Sequence, residues 1–274
     1  MSITFSVLMS VYKNDSHEFL KLALESIYEK QTLKPNEIVV VFDGPLTDEL
    51  YAVLNDFKLN KENIVKYYPQ PINQGLGEAL RIGATHCTGD YILRMDSDDI
   101  SDSLRFEKQI GYISLHPEID VLGSDIAEFD TIPVEPMRKR VCPSEHNAIK
   151  EMSKTRSPMN HVTVAIKREK LLNCGNYESL LLLEDYFLWL KMIVGGCKFA
   201  NLNESLVYVR VGNGFDSKRG SSMRVKGWKQ IQKYMLSHDM ITRFKAFKNM
   251  CYIRAFVYTP VWLKKLLYKF FLRK

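Results

Sequence analysis

"DYILRMDSDD", residues 90–99, runs an apolar, β-rich stretch straight into three carboxylates, Asp96, Asp98 and Asp99. Two unit charges about 4 Å apart repel by roughly 1 kcal/mol in water and roughly 4 kcal/mol at a near-surface dielectric. A solvated loop tolerates that cost, and aspartates in such a turn can simply cap the next helix. At the end of a buried strand, however, the cluster calls for a counter-charge, and a divalent cation supplies one. The fold therefore turns on whether residues 90–95 form a strand inside a sheet.

The flanking sequence says that they do. "FSVLMSV" (5–11) is a first apolar run. A helix follows behind an Asp15/Ser16 cap, with Phe19, Leu20, Ala23, Leu24 and Ile27 on one face. "NEIVVVFD" (36–43) precedes a helix near 46–58, and "NIVKYY" (63–68) precedes one near 75–87. Four strands, each followed by a helix, predict a doubly wound, mainly parallel α/β sheet. Ligands in such sheets sit beyond the carboxyl ends of the strands. Asp43, the Asn73–Gly77 segment and Asp96–Asp99 are thus expected to face one crevice. After a helix near 103–115, stopped by Pro117, the rhythm loosens. "IDVLGSDIAEF" (119–129), "HVTVAIK" (161–167) and "SLVYVRV" (205–211) read as strands, and "LLLEDYFLWLKMIVGG" (181–196) as a helix with Leu182, Phe187, Leu190 and Ile193 inside.

Three chemistries can use the acidic cluster. A calcium loop starting at Asp96 needs glycine at its sixth position, where Ser101 stands. A phosphohydrolase, or a sugar nucleotidyltransferase, is an alternative. The first places its acidic pair on the first strand with Ser or Thr soon after, and the second wants a Gly-rich loop that "SVYKND" lacks. A magnesium or manganese site holding a diphosphate accounts for both the cluster and its position. Asp43 in "DGP" either starts a helix or accepts an N–H from a nucleobase. Gly75 and Gly77 permit a turn, and Arg81 is an anion or ion-pair partner. Glu184 and Asp185 either cap their helix or supply a general base for an incoming hydroxyl. "YVRVGNGFDSKRG" (208–220), with Arg210, is a surface turn or a lid over phosphates. His161 is a ligand or a core histidine.

The chain has 274 residues, 46% hydrophobic and 26% charged, enough for one large domain with an appendage. Its five cysteines are scattered without a CxxC pair, pointing to a reducing compartment. "MSITFSVLMSVYKN" lacks a basic n-region and reads as a strand rather than a signal peptide. The net charge of +6 is unevenly placed: from residue 240 onward there are nine basic side chains and no acid. The preceding residues are slightly acidic, so a nucleic-acid partner is not expected. The division expected is 1–239 as the main domain (a nucleotide half to about 117, an acceptor half after it) and 240–274 as a tail. The tail reads as two helices broken at Pro260. Its last half gathers Trp262, Leu263, Leu266, Leu267, Phe270 and Phe271 opposite Lys264, Lys265, Lys269 and Arg273, as for a helix lying on an anionic membrane surface. The alternative is a helix docked on the domain.

Taken in order, "SVLMSVYK", "VVVFDG", "NQGLGEALRIG", "MDSDD" and "LEDYFLW" resemble the signature segments of the family 2 glycosyltransferases. Ile82 stands where that family commonly has asparagine. The resemblance implies a GT-A fold, a Rossmann-like mainly parallel sheet flanked by helices. It also implies an inverting hexosyl transfer from a UDP-sugar donor that uses Mn2+ or Mg2+. Carried over by position, Tyr12 and Asp43 line the uracil pocket, and Asn73, Gly75, Arg81 and Arg210 lie on the donor side. Asp96 holds ribose or metal, Asp98 the metal, and Asp185, with Glu184 beside it, is the base. More narrowly, "FSVLMSVYK", "DGPL" and "YVRVGNGF" resemble bacterial O-antigen and exopolysaccharide transferases. These include galactosyltransferases that extend undecaprenyl-diphosphate-linked GlcNAc at the cytoplasmic face of the inner membrane.

Overall fold

The computed structural model describes residues 3–130, 138–180, 182–211 and 222–259. Strands β1 (Phe5–Val11), β2 (Glu37–Phe42), β3 (Val65–Pro69) and β4 (Tyr91–Met95) alternate with helices α1 (His17–Ile27), α2 (Asp48–Lys58), α3 (Leu76–His86) and α4 (Arg105–Leu115). β1 pairs in parallel with β2 and β4, and β2 with β3. Every residue of "EIVVVF" in β2 is buried, the continuous run that a parallel strand covered on both faces requires. Val7, Met9, Ile38 and Val40 share one cluster with Leu20, Leu24, Leu50 and Leu54 of α1 and α2. On the opposite face α3 lies so close that a Cβ on Gly83 would sit 2.3 Å from Leu8 Cδ1. Ser16 Oγ and Thr47 Oγ1 cap α1 and α2 by accepting the Phe19 and Leu50 amides.

The second half is less regular. It contains β5 (Ile100–Ser101), β6 (Val121–Phe129), β7 (Arg138–Arg140), α5 (His146–Ser153), β8 (Ala165–Lys167), α6 (Arg168–Asn173), α7 (Glu184–Val194) and β9 (Phe199–Arg210). One mixed sheet runs β3-β2-β1-β4-β8-β6-β9-β5, with β7 on β6. β5 lies four strand spacings from β4, roughly 19 Å in a flat sheet. The chain from Met95 to Ile100 spans at most about 17 Å. The sheet must curl for Asp96–Asp99 to make that crossing. β5 then meets α1, where the Ser101 amide donates to Ser26 Oγ (3.0 Å) and Gln31 Nε2 to the Asp102 carbonyl (2.7 Å).

Three expectations need correction. Residues 161–167 are not one strand: His161–Thr163 form a 3₁₀ turn and only Ala165–Lys167 is extended. There Thr163 Oγ1 donates to the Asn160 carbonyl and accepts the Ser124 amide, so side chains replace ladder bonds. The strand at 205–211 extends back to Phe199. Leu182 is not inside α7; it precedes the helix with φ +66° and is 51% exposed. From Glu184 onward α7 is apolar nearly all round, with Tyr186, Leu188, Trp189, Leu190 and Met192 buried. The sequence reading does not predict α5, α6 or the helix at Ser222–Ser237.

The chain divides into two compact units. The first comprises Met1–Ser179 and Glu184–Val211, and the second Leu180–Leu183 and Gly212–Lys274. Within the second, α8 (Ser222–Ser237) and α9 (Arg243–Tyr258) are described. The boundary expected at 239/240 falls between them. Residues 212–220 of the Gly- and Arg-containing loop, and the tail from Pro260, lie outside the described residues. None of the described helices is long and apolar enough to cross a membrane.

Glu37, at the start of β2, is 3% exposed. It accepts from Ser6 Oγ (2.5 Å), Lys66 Nζ (2.8 Å), Thr88 Oγ1 (2.8 Å) and the Thr88 amide. Burial opposes ionisation, yet Lys66, Ser6 and Thr88 outweigh it and hold the carboxyl at about 2 rather than 4.5. A depressed folded value contributes stability above the unfolded value, lost as pH falls through the folded one. Glu37→Gln is therefore expected to cost about 3 kcal/mol at pH 7. Urea unfolding of both proteins from pH 7 to pH 2 should show the gap closing below about pH 4.5.

Candidate active site

The carboxyl ends of β1, β2 and β4 are tied together. After β1, the Tyr12 amide donates to Asp15 Oδ2 (3.1 Å), and Ser97 Oγ of the acidic loop donates to the same oxygen (2.8 Å). After β2, Asp43 is 4% exposed, with Oδ1 accepting the Gln74 amide (2.7 Å) and Oδ2 the Gly75 amide (2.9 Å). Asn73 Nδ2 donates to the Asp43 carbonyl (3.2 Å). Gly44, at φ +86°, permits this clasp, because a Cβ there would lie 2.8 Å from the Asn73 nitrogen. Asp43 thus fixes the 73–75 loop, and each of its oxygens keeps a second lone pair. Arg81 is engaged on α3 itself, in a fork with Glu78 at 2.8 and 2.6 Å.

The acidic loop lies over two buried arginines. Arg94, 3% exposed, pairs with Asp96. Arg105, 0% exposed, donates to the Arg94 carbonyl (2.8 Å) and Gln109 Oε1 (3.0 Å). Burial, with the Arg94 charge, lowers Arg105 to about 9. Carboxylate oxygens of Asp96, Asp98 and Asp99 lie within 4.8 Å of one another. Asp99 is buried and accepts the Arg210 amide (2.9 Å). Desolvation, with the charges of Asp96 and Asp98, raises its carboxyl well above the usual range. Asp98 is exposed at the mouth of the cluster. Desolvation by the surrounding protein, then Asp96 and Asp15, pushes it up to about 6. The arginines leave the three acids undercompensated. Hard oxygen donors, one open to solvent, fit a magnesium- or manganese-type ion.

Arg210 closes one side. Its guanidinium carbon is 3.8 Å from the Phe19 ring centre and 4.6 Å from that of Phe129, with bonds of 3.3 Å to the Asp98 and Asp130 carbonyls. A cation stacked on rings and bonded to neutral acceptors keeps its charge for an anion. Phe19 is accordingly a wall for Arg210 rather than a core residue.

Glu184 and Asp185 occupy the first turn of α7. A Cβ on Gly77 would lie 3.3 Å from Glu184 Cβ, so the starts of α3 and α7 adjoin. Asp185 is half-buried and accepts from Ser157 Oγ (3.3 Å). Burial raises its carboxyl, while Arg140 and Arg94 pull it down. Arg94 therefore acts on both the acidic loop and Asp185. His161 is half-buried beside Tyr177: Nε2 is 2.9 Å from the Tyr177 hydroxyl, and desolvation, then the Arg94 charge, lowers it well below the ordinary imidazole value.

Sequence reasoning missed Asp15 as a bridge, and Ser97, Arg94 and Ser157 altogether. Arg94 had a signal, since an arginine inside the otherwise apolar "YILRM" announces an internal counter-charge. Asp15 and Ser157 have none, because their partners arrive from distant segments.

The description "Glycosyl transferase family 2" matches residues 6–180. A Haemophilus influenzae protein described as an uncharacterized glycosyltransferase is 40% identical over 98% of this chain and 99% of its own. The Escherichia coli UDP-Gal:alpha-D-GlcNAc-diphosphoundecaprenol beta-1,3-galactosyltransferase is 38% identical over 79% of this chain and 77% of its own. Among solved structures, Staphylococcus aureus TarS 1-349 in complex with UDP-GlcNAc superposes with a TM-score of 0.69 at 20% identity. That alignment covers 99% of this chain and 76% of TarS 1-349, and it supports a shared GT-A fold. With that family matched over more than half of its length and relatives 38–40% identical, the chain belongs to the family 2 glycosyltransferases.

Proposed function

We propose that the enzyme moves a hexose, galactose, from a UDP-sugar to an undecaprenyl-diphosphate-linked GlcNAc, with inversion, in bacterial O-antigen or exopolysaccharide synthesis. The observation that carries the donor side is the set of three undercompensated carboxylates at the end of β4. The sugar and acceptor rest on the 38% identical relative's name. Such an acceptor places the work at the cytoplasmic face of the inner membrane, with the basic segment from residue 240 against anionic lipid.

In this reading Asp96 and Asp98 hold a Mn2+ or Mg2+ ion, which when bound stabilises charge developing on the diphosphate leaving group. Tyr12 and Asp43 border the base, with Asp43 keeping Asn73 and Gly75 in place at the donor edge. Arg210 faces the phosphates with its stacked cation, and Arg81 supports the loop through α3. Asp185 takes the proton of the acceptor hydroxyl, with Glu184 beside it at the same helix start. Burial keeps Asp185 a stronger base than an ordinary aspartate. Displacement from the face opposite UDP turns an α-linked donor into a β-linked product.

Three outcomes are expected. Mn2+ should raise the melting temperature and be required for UDP binding in calorimetry, and Asp98→Ala should lose both effects with turnover. UDP affinity unchanged by a chelator counts against the metal assignment. Asp185→Asn should lower kcat by about 10²-fold or more with UDP affinity nearly constant. Because the base must be ionised, activity falls as pH drops through its raised pKa. The acid limb of kcat/KM should therefore lie above the usual aspartate range. Finally, a panel of UDP-sugars with a lipid-diphosphate GlcNAc acceptor, scored by product mass and anomeric coupling constant, should favour UDP-galactose and a β linkage.

A further inference from the structure

Every exposed aromatic side chain among the described residues lies on α9. Phe244, Phe247, Tyr252 and Tyr258 are 76%, 66%, 64% and 70% exposed. At about 100° per residue, Phe244, Phe247, Cys251 and Tyr258 fall within roughly 60° of one another. The opposite side carries the buried Ala246, Asn249 and Val257, and Asn249 Nδ2 bonds Gln232 Oε1 of α8 at 3.0 Å. α9 is thus apolar on the face it packs and again on a face left in solvent. That double pattern hides it from a search for amphipathic helices.

The exposed stripe has one sign of charge around it. Arg243 and Arg254 line one flank, and Lys248 lines the other with its ammonium 5.8 Å from the Tyr252 ring centre. No acid occurs after Asp239. At the α8–α9 corner a groove of about 700 Å³ has Lys233 and Arg243 on its lining, with Asp239 the one acid there. A second copy of this face would meet it cation against cation, which disfavours self-association. Aromatic rings flanked by bases match an interface where rings sit at headgroup depth and ammonium or guanidinium groups reach phosphates.

We propose that this outward face of α9 docks on anionic phospholipid, Phe244, Phe247 and Tyr258 entering the headgroup layer while Arg243, Lys248 and Arg254 engage lipid phosphates. This deepens the membrane reading above by assigning the contact to α9 rather than to the aromatic residues beyond Pro260. It stands or falls separately from the transfer chemistry.

The test uses the full chain and vesicles of phosphatidylglycerol mixed with phosphatidylcholine, against phosphatidylcholine alone. The intact protein should sediment with the anionic vesicles, less so at high salt. Phe244→Ser/Phe247→Ser/Tyr258→Ser should weaken that binding by about tenfold or more, with unchanged circular dichroism and unchanged transfer to a short-chain soluble acceptor. In a Cys174→Ser background, Cys87, Cys142 and Cys197 are buried and Cys251 is exposed. An environment-sensitive fluorophore on Cys251 should shift to the blue on anionic vesicles only. Full vesicle binding by the α9 variant, with loss in Trp262→Ser/Phe270→Ser/Phe271→Ser, would overturn the assignment. So would an unshifted Cys251 probe, or a concentration-dependent dimer in place of vesicle binding. Vesicle binding by a protein that transfers no sugar leaves this inference standing and removes the proposed function instead.

Discussion

The short crossing from β4 to β5 is the constraint on which the rest of the first unit depends. Four residues must carry the chain between strands that the sheet order separates by three others. The sheet curls to allow it, and β9 seals it by pairing with β5 and donating the Arg210 amide to Asp99. The acidic residues therefore sit on a tether anchored at both ends, not on a free loop. Pinning the tether to Asp15 through Ser97 brings the end of β1 to the same place.

The charge distribution follows from that crowding. Arg94 and Arg105 lie beneath the tether with almost no solvent access, and only Arg94 pairs directly with one of its carboxylates. A lone buried cation costs several kcal/mol to desolvate, so its retention is weak evidence of stabilisation. Its value lies in specifying geometry: Arg94 holds Asp96, while Arg105 holds the Arg94 carbonyl and reaches Gln109. Asp99 and Asp98 remain raised even so. At the opposite, amino ends of the strands Glu37 is fully satisfied and strongly acidic. The satisfied carboxylate lies at the amino ends of the strands and the unmet charge at their carboxyl ends, the usual division between scaffold and reactive site.

Much of this was legible in the sequence. The continuous apolar runs of β1, β2 and β4 required a parallel sheet covered on both faces, and the glycine pair after α7 marked its end. Asp43, Asp96, Asp98, Asp99 and Asp185 could be picked out because each carboxylate interrupts or ends an apolar run. What stayed hidden depends on partners far apart in the chain. The turn at 161–163 exists because Ser124 and Asn160 bond Thr163. Arg81 could have turned toward phosphate, but Glu78, three residues earlier on the same helix, holds it. The helix α9 was expected, but its outward apolar face was hidden, since two apolar faces on one helix cancel the periodicity that a single face produces.

The seal of β9 on the acidic tether bears on how such an enzyme can diversify. Tyr208 and Val207 complete β5, and Arg210 completes Asp99, so residues 96–101 and 207–210 form one structural joint. Recombination that exchanged the sequence after Pro117 for a foreign one would have to supply a strand that pairs with β5 and a backbone amide for Asp99, or the tether would lose its far anchor. Changes in loops outside 96–101 and 207–210 leave the joint intact, whereas exchange of the second half puts the anchor of the tether at risk.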